Sequence, residues 1–384
     1  MLSVETLKNI KWMLDPEIAY FNHGSFGARP TVVFEGQIAL KHEFERSPIK
    51  FLDREGKDRL AWARNTIAQF LDCSENQLGF VENATTGVAC ILQSLQFPPG
   101  FEIVTTSHVY NGVRQLLRSY CHRNGSIYRE IEIRTPLKSN VELVEAIVAG
   151  ISNNTKLLVI DHVTSATGIV FPVKEIVAEC NKRGVAVVID GAHAPGMLDL
   201  SIDELSPDWY VGNLHKWVCG PPGAGFLWVN KKYIDSTHPL TVSHFYEQGF
   251  TEEFDWQGTR DITSILGAAI AVDWGNTIGW ENIRTHNHEL VVEMQQRLVE
   301  CWGGTPLSPL DGSMIGSMAT VELPTHFPII EDELKKIQMQ LYHHYKVEAP
   351  LMPWQEKPVI RLSAQLYTKI DDIERLLLAI DGIS

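Results

Sequence analysis

The chain of 384 residues is 44% hydrophobic and 21% charged, enough to bury a large core without disulfide or metal staples. Its 47 acidic and 33 basic residues leave a net charge of −14 with no basic run, which excludes the electrostatic footprint of a nucleic-acid binder and favours solubility. No run of about 18 uninterrupted apolar residues occurs, and the first residues lack an apolar signal-peptide core, so neither a membrane span nor export is expected.

Six cysteines, Cys73, Cys90, Cys121, Cys180, Cys219 and Cys301, lie far apart with no CxxC pair. This argues against a disulfide framework and a zinc site, and for a reducing cytoplasm. At roughly 100–200 residues per domain, two domains are expected.

Short β-branched runs alternate with helical patterns through the middle of the chain. Leu78–Val81 reads as a strand and Thr86–Gln96 as a helix. Strand Phe101–Thr105 precedes helix Val109–His122, and strand Ser126–Ile133 precedes helix Val141–Ala149. Strand Lys156–Asp161 and helix Val173–Arg183 follow. Val185–Asp190 is a nearly continuous apolar strand, Trp209–Val211 a short one, and Gly225–Val229 a strand after a Pro-Pro-Gly turn. Apolar strands alternating with helices imply an α/β fold, its mostly parallel sheet covered on both faces, with ligands at the carboxyl ends of the strands. From 263 the pattern changes to long helices, Thr263–Asn276 and Glu281–Cys301. Strand Ser317–Leu323, helix Glu331–Tyr345, strand Val359–Ser363 and helix Ile370–Ile380 complete the chain. The expected division is a large domain over 31–262 and an interdomain helix with a smaller α+β domain over 263–384. Residues 1–30 are too short to fold alone and should join the small domain.

The strongest chemical signal is VVIDGAHAPG followed by VGNLHKW. Asp190 ends an apolar strand, and Lys216 lies beyond the next short strand among Asn213, His215 and Trp217. A lysine in such a setting is costly unless solvated, paired or covalently used. A lysine nucleophile forms a Schiff base with an aldehyde cofactor, whose pyridine nitrogen needs an acid partner. Alone, an aspartate at a strand end is usually a turn residue and a lysine usually snorkels to solvent. Together, before the Gly220–Gly223 turn, they point to covalent chemistry. Thr85 and Thr86, at the start of a helix, are either plain N-caps or phosphate ligands at a helix N-terminus. Past the strand FEIVTT, His108 or Tyr110 could stack on a flat ring. Arg361, inside the apolar strand of VIRLSAQLY, wants an anion, by internal salt bridge or as a bidentate clamp on a carboxylate.

These residues resemble the pyridoxal 5′-phosphate enzymes of aminotransferase class V, fold type I, and most of all their isopenicillin N epimerase-like branch, which is related to the cysteine desulfurases. The resemblance is carried by YFNHGSFGARP (20–30), ENATTGV (82–88), SHVYNG (107–112), DHVTSATGIVFPV (161–173), DGAHAPG, GNLHKW, QGTRD (257–261) and IRLSAQLY, spanning residues 20–367. It implies a mostly parallel sheet of the seven-stranded type and pyridoxal 5′-phosphate as cofactor. Lys216 would form the Schiff base, Asp190 would pair with the pyridine nitrogen, and His193 would sit near the ring's phenolic oxygen. Thr85, Thr86, Asn213 and His215 would hold the phosphate. His108 would stack on the ring, with Tyr110 in reserve. Thr259 would reach the phosphate of a neighbouring subunit in a homodimer. Arg361 would bind the substrate α-carboxylate, with Asn22 and His23 lining the substrate side.

Two departures matter. Many relatives carry serine where Asn213 stands, although an amide still donates to phosphate. Cysteine desulfurases place a nucleophilic cysteine shortly before the carboxylate-binding arginine, and residues 343–360 contain none. Persulfide formation is therefore not expected. The expected reaction acts at the α-carbon of an amino acid, as epimerisation or β-elimination, with transamination and a catalytically silent cofactor-binding regulator as the rival readings. Epimerisation needs an acid on the second face, for which His23, His108, Tyr110 and Cys219 are the candidates.

Overall fold

A computed structural model describes residues 2–383. The chain opens with α1 (Val4–Asn9) and the short β1 (Ala19–Tyr20), followed by α2 (Thr31–Arg46) and α3 (Gly56–Phe70). No element was expected between 31 and 77. Both helices bury only a narrow stripe, Val33 and Gln37 in α2 and Leu60, Ala63, Arg64, Ile67 and Ala68 in α3, so their apolar period is faint.

The alternating region then unfolds as read, with ends shifted by a residue or two. The elements are β2 (Leu78–Val81), α4 (Ala84–Ser94), β3 (Glu102–Thr106), α5 (Asn111–Asn124), β4 (Ile127–Ile131), α6 (Asn140–Ala149), β5 (Thr155–Asp161), α7 (Val173–Lys182), β6 (Ala186–Gly191), a short α8 (Ile202–Leu205), β7 (Trp209–Asn213) and β8 (Gly225–Val229). They form one seven-stranded sheet in the order β2-β8-β7-β6-β5-β3-β4. Six strands run in one direction; β8 alone runs antiparallel, to both β7 and β2, because the tight turn at Gly220–Gly223 reverses the chain directly.

Side chains alternate across this sheet, and both faces are buried. Leu158, Ile160, Val187, Ile189 and Tyr210 enter one apolar cluster. Leu157, Val159, Val188 and Val211 enter the other, under α4 and α5. Strands β5, β6 and β7 succeed one another in one direction across the sheet, whereas β4 lies on the far side of β3. The order therefore reverses between β3 and β5, which opens a crevice at the carboxyl ends of these strands.

After α9 (Phe250–Asp255), α10 (Thr263–Ile278) packs into the first cluster through Ile265, Leu266, Ala268, Ala269 and Val272. The long α11 (Trp280–Trp302) leads to a separate core. That core is built from α11, β9 (Met318–Glu322), α12 (Glu331–Tyr345), β10 (Val347–Glu348), β11 (Leu351–Trp354), β12 (Lys357–Ser363) and α13 (Ile370–Asp381). The N-terminal segment is split between the two cores: Leu7, Ile10 and Trp12 pack on the first, while β1 pairs with β10 and places Ala19 and Phe21 in the last.

Strands β11 and β12 form an antiparallel hairpin whose two-residue turn, Gln355-Glu356, has φ values of 44° and 66°. Such a turn suits the twist of a hairpin but strains residues other than glycine. Hydrogen bonds hold it: Gln355 Nε2 donates to Ile133 O at 2.8 Å, and Gln355 Oε1 accepts from Thr135 N at 3.0 Å. The hairpin tip thereby latches onto the loop that follows β4. β11 was not expected, since Pro350 and Pro353 interrupt the pattern; as an edge strand it tolerates Pro353.

Ile189 lies at the centre of the sheet and is fully buried. Replacing it with alanine should cost about 2–5 kcal/mol, read as a lower urea midpoint at unchanged slope.

Candidate active site

The carboxyl ends of β3, β5, β6 and β7 bring most of the expected residues together. Lys216 follows β7 in a compact turn, in which Cys219 N donates to Lys216 O at 2.9 Å and Gly220 N to Leu214 O at 2.8 Å. Gly27 packs directly on this turn: a Cβ there would sit 2.5 Å from His215 O and 2.7 Å from Lys216 O. The N-terminal segment thus braces the lysine loop.

Lys216 Nζ lies 2.9 Å from His193 Nε2, and Trp217 Nε1 donates to His193 Nδ1 at 3.4 Å. An indole N–H can only donate, so Nδ1 must be an acceptor and the neutral imidazole carries its proton on Nε2. That proton points at Lys216 Nζ, which accepts it only as a free amine. Burial agrees, lowering the Lys216 amine from its ordinary 10.5 to about 7 against the opposing pull of Asp190. Burial, with the Lys216 charge next, also pushes His193 well below its usual range.

Asp190, 3% exposed at the end of β6, accepts the Ala192 N–H at 3.0 Å, and burial raises it above the usual carboxylate range. It can lie against a protonated ring nitrogen without leaving its strand.

At the start of α4, Asn83 is the N-cap, accepting Thr86 N at 3.0 Å and the Thr86 hydroxyl at 3.3 Å. Asn213 turns its amide oxygen to Ala84 N at 2.9 Å, which leaves its NH2 group to donate elsewhere. Thr85 hydrogen-bonds to none of these residues. His215 Nδ1 is buried without a partner. Free donors at a helix N-terminus beside an orphaned imidazole nitrogen form a cradle suited to a phosphate.

Arg361 projects from β12 into the crevice between the two cores. Its guanidinium donates to Asn22 Oδ1 at 3.2 Å, to Ser25 Oγ at 2.8 Å and to Ser165 O, while Nε is buried and unpartnered. All its acceptors are neutral oxygens, so the internal salt bridge weighed from the sequence is not formed. Burial of this uncompensated cation lowers it to about 10. Asn22 is itself held by Glu348 Oε1 at 3.0 Å.

Three expected residues stand differently. His108 is only 2% exposed: Nδ1 meets Thr167 Oγ1 at 3.0 Å, Nε2 meets Ile133 O at 3.1 Å, and the ring abuts Trp354 edge-on. Tyr110, by contrast, is 48% exposed and is the N-cap of α5. His23 is fully buried, with Nδ1 2.9 Å from Tyr367 OH and Nε2 3.1 Å from Lys216 O, so it supports the lysine loop rather than lining open space. Thr259 is exposed and hydrogen-bonds to none of the cradle residues; its neighbour Arg260 is tied to Glu82 at 3.3 Å, beside the N-cap.

The sequence reading gave no role to Asp161, at the end of β5, nor to the buried pair formed by His162 Nδ1 and Tyr210 OH at 2.9 Å. The strand-end position that singled out Asp190 marks Asp161 equally well.

A buried amine with a lowered proton affinity, an acid at a strand end and donors at a helix N-terminus, at the carboxyl ends of one sheet, suit an aldehyde-bearing pyridine phosphate. The protein is therefore of the fold type I class of lysine-anchored cofactor enzymes. A family model described as aminotransferase class-V matches residues 46–376, and the chain belongs to this family, whose cofactor is pyridoxal 5′-phosphate. It is 32% identical to a probable L-cysteine desulfhydrase, chloroplastic, of Arabidopsis thaliana, over 96% of this chain and 83% of that one. It is 29% identical to the isopenicillin N epimerase of Streptomyces clavuligerus, over 97% of each. Its fold matches a cysteine desulfurase of Thermococcus onnurineus NA1 with a TM-score of 0.83 at 18% identity, covering 100% and 98% of the two chains. A second fold match is the cystine C–S lyase C-DES, with a TM-score of 0.79 at 20% identity, covering 98% and 99%.

With the Lys216 amine near 7, its acylation by acetic anhydride in cofactor-free protein should rise with pH and reach half its plateau near pH 7. Exposed lysines should still be gaining reactivity several units higher. Peptide-resolved mass spectrometry would measure both.

Proposed function

We propose that this chain holds pyridoxal 5′-phosphate on Lys216 and catalyses β-elimination of sulfur from a cysteine-type amino acid. The observation that carries the choice is that Lys216 stands without a second-face acid. His23 and His108 are buried with both ring nitrogens engaged, and burial holds each near 4. The Cys219 thiol is fully buried and pushed up by burial. Epimerisation would need one of these, or the remaining candidate Tyr110, to deliver a proton, and in this reading the exposed Tyr110 ring is taken up by stacking on the cofactor. No cysteine lies in 343–360 to accept sulfur as a persulfide. Elimination needs only one base and a leaving group.

The bound cofactor supplies an electron sink for the carbanion at the substrate's Cα. Lys216 Nζ, once displaced by the substrate amine, is a free base that takes the Cα proton and then holds it for the departing sulfur. Asp190 keeps a negative charge against the ring nitrogen. Thr85, Thr86, Asn213 and His215 hold the phosphate, and His193 stands by the phenolic oxygen. Tyr110, in place of His108, stacks on the ring. Arg361 takes the α-carboxylate through its free Nε and an Nη now lent to Ser25, with Asn22 fixing the guanidinium plane. In sum, L-cysteine and water give hydrogen sulfide, ammonia and pyruvate.

The working form we propose is a homodimer, in which the exposed Thr259 reaches the phosphate cradle of the partner subunit. The exposed Val242, Phe245 and Tyr246 offer an apolar surface for that contact. No helix among the described residues is long and apolar enough to cross a membrane. Six unpaired cysteines fit a reducing compartment, which we take to be the cytoplasm.

Incubation with L-cysteine should release sulfide and pyruvate in equal amounts without added 2-oxo acid. Strict dependence on a 2-oxo acid would make the enzyme an aminotransferase, and inversion of an amino acid without sulfide would make it an epimerase. Lys216→Ala should lower turnover by roughly 10⁴-fold or more. Arg361→Ala should cost about 2–5 kcal/mol in kcat/KM, mostly through KM.

A further inference from the structure

Asp161 is the one buried carboxyl group at the crevice that the proposed reaction does not use. It is the in-register neighbour of Asp190: β5 and β6 are parallel, and Asp161 and Asp190 are Cα partners. Adjacent strands lie about 4.8 Å apart, and in-register neighbours point to the same face. Both residues continue the face of Val159 and Val188, toward α4 and α5. Both are 3% exposed. Two carboxylates placed side by side away from water cannot both be ionised; one must keep its proton.

The surroundings decide which. Asp190 accepts a hydrogen bond from Ala192 N and feels the Lys216 amine. The backbone N–H groups of Tyr110 and of Asp161 itself bear on the Asp161 carboxyl, while Oδ2 is buried with no partner. The charged groups that bear on Asp161 are Asp190 from β6 and Lys216 from beyond β7; from α5 only the Tyr110 backbone reaches it. An oxygen that finds no donor suits a hydroxyl better than an anion.

We propose that Asp161 is a positioning residue that stays a neutral carboxylic acid at neutral pH, leaving the single negative charge on Asp190. Asp190 as the partner of the ring nitrogen rests on the function proposed above; the protonation of Asp161 does not. Burial and the Asp190 charge both raise Asp161 well above the carboxylate range, in keeping with the geometry. Asp161 thus serves the chemistry without touching substrate: it restricts the charge behind the ring to one carboxylate.

The test is infrared spectroscopy of the holoenzyme at neutral pH, where a protonated carboxylic acid has a C=O stretch well separated from ionised carboxylates. The expected result is such a band in the wild type, shifted by D2O and lost in Asp161→Asn. No band in the wild type, or a band that survives in Asp161→Asn, would overturn the proposal. Stability gives a second readout. Native Asp161 keeps a proton that the unfolded chain releases above the usual carboxylate range, so its own contribution to stability falls as pH rises from acid to neutral. The pH slope of stability should therefore be more negative in the wild type than in Asp161→Asn; equal slopes would contradict the assignment. Should the variant not fold, wild-type protein labelled with carboxyl-¹³C aspartate must show an isotope-shifted band at neutral pH, and its absence overturns the idea. None of these readouts uses turnover, so a missing lyase activity with the band present would count against the proposed function alone.

Discussion

The crevice is organised around one hydrogen bond, from His193 Nε2 to Lys216 Nζ. Trp217 fixes the imidazole tautomer from behind, and that tautomer accepts nothing but a free amine in front. The lysine would be protonated in water at neutral pH, so the fold must hold it where burial lowers its proton affinity and a single donor greets its lone pair. The other parts of the crevice are arranged around this point. Gly27 and His23 brace the loop, the Gly220–Gly223 turn returns the chain into β8, and Asp190 supplies the opposing charge.

The crevice is assembled from three sources. The sheet contributes the lysine, the acids and the cradle at α4. The β9–β12 body contributes Arg361, and residues 19–25 bridge the two, with Asn22 and Ser25 on the guanidinium and Phe21 in the smaller core. The hairpin tip at Gln355 reaches back to the loop after β4, and Trp354 packs on His108. His108 therefore acts as a structural pivot: it receives the hairpin on one side and Thr167, of the loop after β5, on the other. In the desulfurases this sequence resembles, a reactive cysteine precedes the clamping arginine; here the same stretch is spent on a latched hairpin.

Local order along the chain made much of this legible. The β-branched runs of β3, β5 and β6 and the turn residues between them specify a mostly parallel sheet, and a strand-end rule leads directly to Asp190. The lysine, its flanking Asn213 and His215, and Thr85 and Thr86 at a helix start follow from short segments whose chemistry is carried by neighbours in sequence. Helices α2 and α3 were not legible, because their buried stripes are narrow and polar residues such as Gln37 and Arg64 sit within them. Strand β11 was hidden by prolines that only an edge position tolerates.

The sequence by itself determined the class of fold and the family, and it marked Lys216 and Asp190 as candidates, since each is written within one strand and the turn after it. The tertiary structure alone decided between residues whose roles depend on distant partners. His108 and Tyr110 are two residues apart in the same loop; only Thr167, Ile133 and Trp354, brought from elsewhere, close the histidine and leave the tyrosine open. His23 became a support through Tyr367 and the Lys216 carbonyl. Asp161 became a neighbour of Asp190 through the register of β5 against β6. Hydrogen-bond satisfaction and burial are properties of the assembled neighbourhood, and a linear chain does not contain them until its strands are side by side.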